Sequence, residues 1–434
     1  MGDFVSNYLS RWELDPDDAH DLAIKAQPLL GLYAIEKSRG SESVTVRFTL
    51  RGPRGFARTL AQAQQKSAIK RNSEYFRFTV PYGRMEGSII FSLEELVKAE
   101  ADPEYGADLL DTNMESGIAG FAQEIVYQLD GQLGGSFGTA TFHSASSGAR
   151  PVFSLNFSST PEVLGRVQVG DHIEVSTADG TGASDATLAL AGVVIDRDTD
   201  NGYLQVAPTS APATAGNPGG WDDTGATTYY CYMLGEMQQG VPDSIIVPWS
   251  AYNPDTRSTG TLYGVNRSAD AFLSGARLLS GEATGTYARR AKKLVAKCVN
   301  RLGDTRSAIG KTQKLVLNPE DWDTFEDQQS ARVGREVEKT AIDGYETIQI
   351  RTALGVMDVI AEPARKKGTA RLVSPKVIRL ASMTGKLVNL VSFGMGNGML
   401  VAKPSSNDFE ARPYWMGQHV VGPTHAHGIL PLTG

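Results

Sequence analysis

The stretch that decides the fold is "DPEYGADLLDTNMESGIAGFAQEIVYQLDGQLGG", residues 102–135. Asp102 suits a helix N-cap, Pro103 suits the first helical position, where a missing N–H costs nothing, and Glu104 sits where the helix dipole favours an anion. Apolar residues then return at Leu110, Met114, Ile118, Phe121, Ile125, Leu129 and Leu133, in steps of three or four that keep them on one face. Gly134 and Gly135 end the run. At about 1.5 Å per residue, the part from Ala107 to Leu133 is roughly 40 Å long. Gly106, Gly117 and Gly120 each weaken it by up to about 1 kcal/mol relative to Ala, so packing of the apolar face must hold it. Taken alone, the segment also reads as a long core helix.

The rest of the composition bounds what such a beam can belong to. With 434 residues, 41% hydrophobic and 21% charged, the chain is ordinary globular material with room for two or three cores. A net charge of -7 gives no global reason to expect nucleic acid or an anionic membrane as partner. Cys231 and Cys298 are the only cysteines, which argues against a disulfide scaffold and suits a reducing cytoplasm. The first residues, "MGDFVSNYLSRWELDPDD", carry acids and no apolar run, so they are not a signal peptide, and no window reaches the roughly 18 apolar residues of a membrane span. The expectation is a chain soluble when made, in which "NFS" and "NRS" are chance matches to a glycosylation site.

Upstream, residues 1–42 hold one short helix broken by Pro28 and otherwise read as an arm that packs on something outside itself. "SVTVRFTL" (43–50), "EYFRFTVPYG" (74–83) and "EGSIIFS" (86–92) alternate with period two and read as strands. Between the first two lies "RGPRGFARTLAQAQQKSAIKRN", which has six basic residues and no acid, a cationic excursion on a β-ribbon. A two-stranded ribbon is marginal in water unless it lies on another surface. Downstream of a Gly/Ser-rich passage, residues 164–206 read as a small all-β insertion with an Asn-Gly hairpin signal at 201–202, flanked by the loop "APTSAPATAGNPGG". A second helix at 285–303 stripes Tyr287, Ala291, Leu294, Cys298 and Leu302, and Asn318 caps a third that starts at Pro319. Strands and helices are segregated without regular βαβ alternation, which makes the fold class α+β.

No recognisable catalytic apparatus accompanies these elements. There is no phosphate-cradling loop, no HExxH and no GxSxG elbow, and "FGMGNGML" (393–400) lacks the context of a dinucleotide site. "SAIK" (67–70) matches a Ser-x-x-Lys nucleophile in letters only. His419, His425 and His427 have no flanking carboxylate cluster and read as solvent-exposed turn histidines in preference to metal ligands. Catalytic, cofactor-binding and metal-binding residues are therefore expected to be none. Charge is more informative. Residues 284–314 hold nine Lys or Arg against Asp304 alone, whereas 102–135 hold seven acids and no base, which suggests pairing of the two helices within or between copies. A solvated face is the alternative for each, and non-specific phosphate contact a further one for the basic segment.

The order of parts, an arm, the excursion "TLAQAQQKSAIKR" on a ribbon, the long helix, "LVLNPEDWDTF" and the late strand "FEARPYW", resembles the major capsid proteins of tailed bacteriophages, the Hong Kong ninety-seven fold. The resemblance implies a division into an N-terminal arm (1–42), an extended β-ribbon loop (43–92), a peripheral domain with a spine helix (93–135), an axial domain (136–163 and 207–395), the small β insertion (164–206), and C-terminal strands returning to the peripheral domain (396–434). It also implies a non-enzymatic structural protein that self-assembles as hexamers and pentamers into an icosahedral shell around double-stranded DNA, made in the bacterial cytoplasm and located in the virion. No long helical scaffolding extension is read at the N-terminus, so a separate scaffolding protein, or a cleaved segment, is implied together with a portal, and no membrane. Inter-subunit contact candidates are Arg54, Arg58, Lys66, Lys70 and Arg71 on the excursion, Asp108, Asp111 and Glu115 on the long helix, and Arg289 and Lys293 on the basic one. The arm is expected to pack between copies. The runner-up is another virion protein, a tail or decoration component, and an enzyme with an unfamiliar site comes third.

Overall fold

A computed structural model describes residues 16–38, 43–51, 57–69, 74–94, 97–98, 103–145, 152–157, 160–181, 190–209, 228–237, 246–258, 260–263, 265–268, 271–279, 282, 284–302, 313–330, 340–342, 345–390, 400–402, 408–422 and 424–432. Helices and strands are segregated into three packed units, a mixed α+β arrangement.

The first unit is built on the expected beam, α3 (Pro103–Asp130); α1 (Pro16–Ala26) and α2 (Leu60–Ile69) precede it. Its 28 residues make about 42 Å at the usual helical rise. Met114, Ile118, Ile125 and Leu129 are fully buried and Phe121 nearly so, and Leu133 packs against the same core from just beyond the helix. The helix ends at Asp130, three residues before the last apolar step. The chain turns away there because Gly134 and Gly135 take φ of 113° and 92°, and a Cβ on either would lie about 2 Å from a backbone carbonyl of the next unit. Across the core, strands Ala34–Lys37, Ile378–Ser382, Pro413–Val421 and Asn389–Leu390 form a sheet, with Gly83–Glu86 also paired to Pro413–Val421.

The arm departs from expectation. From residue 16 onward α1 packs on α3, Ala19, Ala23, Leu30 and Tyr33 are buried in the same core, and Ala34–Lys37 joins the sheet in parallel with Ile378–Ser382. Small residues spaced four apart let the two helices approach closely, a packing partner that an isolated reading of the arm does not supply. The ribbon is present as Ser43–Arg51 paired antiparallel with Glu74–Pro81. Its base is rooted in the core through Val44, Phe78 and Val80. The excursion at its far end contains α2, and residues 57–65 are exposed apart from a half-buried Ala63, with Leu60 at 75%.

The second unit is a seven-stranded sheet in the order Ala276–Arg277, Gly428–Pro431, Thr369–Val373, Gln313–Leu317, Gly355–Ala361, Tyr345–Thr352 and Thr340–Ile342. Helices α4 (Tyr287–Leu302) and α5 (Pro319–Ser330) cover it. The stripe read from the sequence is the buried one, with Ala291, Leu294 and Cys298 against Leu315, Leu372 and Phe325. The Asn318 side chain accepts from the Glu320 N–H at 3.0 Å, the capping role its position suggests. The C-terminal region divides between units: Pro413–Val421 lies in the first sheet and Gly428–Pro431 in the second, so only part of 396–434 returns to the spine.

The third unit is a closed six-stranded barrel, in the order Tyr203–Pro208, Phe153–Asn156, Gly138–Ala145, Thr228–Met233, His172–Ser176 and Leu190–Asp198. It extends beyond the 164–206 insertion on both sides and takes in strands assigned above to the axial domain. The flanking strands "FSLN", "GTATFHSA" and "TYYCYM" close the gap that 164–206 would leave open, removing the free edges of a small sheet.

Because Ile118 is fully buried in the first core, Ile118→Asp is expected to destabilise the protein by about 4 kcal/mol or more, a charge buried without a partner. Glu115→Gln on the exposed face should stay within roughly 0.5 kcal/mol, and urea unfolding monitored by circular dichroism distinguishes the two.

Candidate functional site

The three units meet at the C-terminal half of α3. Asp130 closes the helix, where a carboxylate is unfavourable against the dipole, and it is 4% exposed. Its carboxylate accepts from Arg365 Nη1 at 2.9 Å and from Arg371 Nη1, both guanidinium groups being equally buried. Arg371 lies on the interior strand Thr369–Val373 of the seven-stranded sheet, and Arg365 lies just before it. Burial pushes the Asp130 carboxyl up, but Arg371 and Arg365 together outweigh it and hold it below the usual carboxylate range. Burial and the neighbouring Arg365 bring Arg371 down to about 10. An ion triad of this kind is poor evidence of net stability, but removing one member costs about 3–5 kcal/mol because the others stay buried unpaired.

Aromatic and imidazole rings enclose the triad. Arg371 lies 5.3 Å over the Trp249 ring, and Trp249 donates its indole N–H to Tyr33 Oη at 2.7 Å. Trp249 also sits edge-on to His419 at 4.8 Å and to His427 at 5.1 Å. All three histidines that the sequence placed in an exposed turn are buried: His419 0%, His425 1% and His427 0%. His419 is buried because it lies within the strand Pro413–Val421 of the first sheet, and His425 and His427 because they lead directly into Gly428–Pro431 of the second. His419 Nδ1 faces the Val247 carbonyl at 3.0 Å and so carries the proton, whereas His427 Nδ1 accepts from the Ser374 N–H, which puts its proton on Nε2. Among the described residues no cluster of three or more His, Cys, Asp or Glu is arranged to hold a metal.

A second buried cation ties the barrel to α3. Arg166, 5% exposed, donates Nε to Glu124 at 3.2 Å and Nη2 to Glu236 at 2.9 and 2.6 Å. The two acids in the C-terminal half of α3, Glu124 and Asp130, are therefore paired within the chain by Arg166, Arg365 and Arg371. Neither is paired with the basic helix α4, which packs on the seven-stranded sheet.

The contact candidates scatter accordingly. Arg54, Lys70 and Arg71 lie outside the described residues, as do the side chains of Lys66 on α2 and Asp108 on α3. Arg58 is exposed beside α2, Asp111 and Glu115 are exposed on α3, and Arg289 is exposed on α4. Lys293 donates to the Glu282 carbonyl at 3.0 Å and to Thr284 at 3.3 Å. What the sequence did not single out is the junction itself: Asp130, Arg166, Glu236, Arg365 and Arg371 carry no local signal beyond a charge in an apolar stretch.

No family model matches the chain, and no curated protein matches it. Solved structures to which it is similar include the cyanophage A-1(L) capsid asymmetric unit, with 10% identity, 93% of this chain and 92% of that chain covered and a TM-score of 0.47. Two others are the capsid of a native GTA particle, at 9% identity, 94% and 91% coverage and TM-score 0.44, and Mycobacterium phage Ogopogo, at 10%, 93% and 91% and 0.38. No helix among the described residues is long and apolar enough to cross a membrane.

Burial brings His419 and His427 down to about 3, from an ordinary 6.5. The folded state thus binds fewer protons than the unfolded one between these values, so their contribution is complete above pH 6.5 and is lost as pH falls toward 3, by up to about 1.4 kcal/mol per pH unit for each ring. The urea midpoint is expected to fall between pH 7.5 and pH 5, and His419→Gln should reduce that fall.

Proposed function

We propose that the chain is the major capsid subunit of a tailed phage, a non-enzymatic protein that assembles as hexamers and pentamers into an icosahedral shell around double-stranded DNA. The observation that carries this reading is the ribbon. It is rooted in the core at its base but ends in the cationic excursion, where Arg58, Leu60 and their neighbours meet solvent. A monomeric enzyme has no use for an exposed Leu at the end of a two-stranded arm, whereas a subunit whose neighbours supply the missing surface does. The sequence resemblance supports the same layout, with the first unit as peripheral domain and the seven-stranded sheet as axial domain.

In this reading the excursion, with Arg54, Arg58, Lys66, Lys70 and Arg71, reaches the acidic outer face of a neighbour's α3 at Asp108, Asp111 and Glu115. Arg289 and Lys293 border a further contact or the packaged DNA. Heterologous contacts between identical copies close into rings, and a stiff beam about 42 Å long keeps the contact edges in fixed relation. A scaffolding protein and a portal are the further partners, and the location is the virion. A tail or decoration protein is the second reading, favoured by the closed barrel.

Charge reversal tests the contact. Arg58→Glu alone and the double variant Asp111→Lys/Glu115→Lys should each raise, several-fold, the concentration at which sedimentation velocity detects large particles, and combining them should restore it. Wild-type particle formation indifferent to all of these substitutions, or a chain that stays monomeric throughout, would count against the proposal.

A further inference from the structure

Three groups meet where the barrel touches α3, and their charges do not balance. Glu124 on α3 and Glu236, just beyond the last barrel strand, both contact the one Nη2 of Arg166. The two carboxylates thus converge on one largely buried cation, leaving an excess negative charge that a single proton held by the pair would cancel. Among the described residues no second cation is in ion-pair contact with Glu124 or Glu236. Gln128 donates to Glu236 at 3.3 Å, the Tyr127 ring lies 5.8 Å from the Arg166 guanidinium, and Glu162 and Lys366 line the cleft beside Arg166, while Glu86 lines the groove on the other side of Glu124.

We propose that the barrel is held on α3 through a proton shared by Glu124 and Glu236, so that its docking is proton-linked and loosens as the solution turns alkaline. Both carboxyl groups come from different units, so undocking separates them and releases the excess charge to water. Burial, opposed by Arg166 and reinforced by Glu236, pushes the Glu124 carboxyl up to about 7, from an ordinary 4.5. The docked state therefore holds more protons than the undocked one, and the docking strength present below pH 4.5 is lost as pH rises toward 7. The direction is opposite to that of the buried histidines, whose effect grows as pH falls, and the two involve different parts of the chain. The consequence is a hinge between barrel and body that responds to proton activity near neutrality.

Native-state hydrogen exchange of the full chain tests this, read as protection factors for amides of Val163 and Val167 at the Arg166 turn, with α4 amides as internal reference. Between pH 5 and pH 8.5 the protection of the turn is expected to drop several tens-fold relative to α4. Glu124→Gln and Glu236→Gln, which keep hydrogen-bonding groups but remove one charge, should flatten that drop to within about threefold. A wild-type turn whose protection does not change with pH relative to α4 overturns the proposal, with no variant needed. So does a drop of the same size in both variants.

Discussion

The burial of Asp130 between Arg365 and Arg371 is the constraint around which the rest is arranged. A carboxylate at the C-terminal end of a helix is opposed by the dipole and, once buried, by desolvation, so it persists only because two guanidinium groups converge on it. Those groups belong to the seven-stranded sheet, so the ion triad fixes where α3 ends relative to that sheet. Trp249, Tyr33, His419 and His427 then seal the site from water, which keeps the triad strong and keeps the histidines neutral. Arg166 repeats the device one turn and a half upstream, with the barrel in place of the sheet.

This arrangement makes α3 a beam with two charged anchor points in its C-terminal half, while the ribbon is rooted in the same core, its Pro81 carbonyl accepting from Gln418 Nε2 at 3.0 Å beside His419. The N-terminal segment from residue 16 adds to the beam instead of reaching away from it, so the reach to neighbours rests on the ribbon. The described part of the excursion, residues 57–65, is exposed apart from Ala63, and Asp111 and Glu115 lie on the exposed face of α3.

Much of this was legible in the chain, and the limits of legibility are physical. The stripe Met114, Ile118, Ile125 and Leu129 was readable because helical periodicity is local, and Asn318 because a cap depends on the two residues after it. Asp130 and its arginines were not, since Arg365 and Arg371 lie 235 and 241 residues away and nothing in the sequence ties them to that carboxylate. The barrel was read too small for the same reason: Thr228–Met233 pairs with Gly138–Ala145 across some ninety residues of intervening chain. The histidines were misread because exposure was inferred from a turn-like sequence, while His419 lies inside a strand of the first sheet and His425 and His427 lead into a strand of the second. The arm was misread because its partner, the small-residue face of α1 on α3, only exists once both helices are placed.

Electron microscopy of the purified chain over a range of concentrations tests the account most directly. It predicts closed isometric shells in which the ribbon of one copy crosses the spine helix of the next. Micrographs showing only dispersed monomers under every condition, or shells in which each ribbon lies on its own copy, would contradict it.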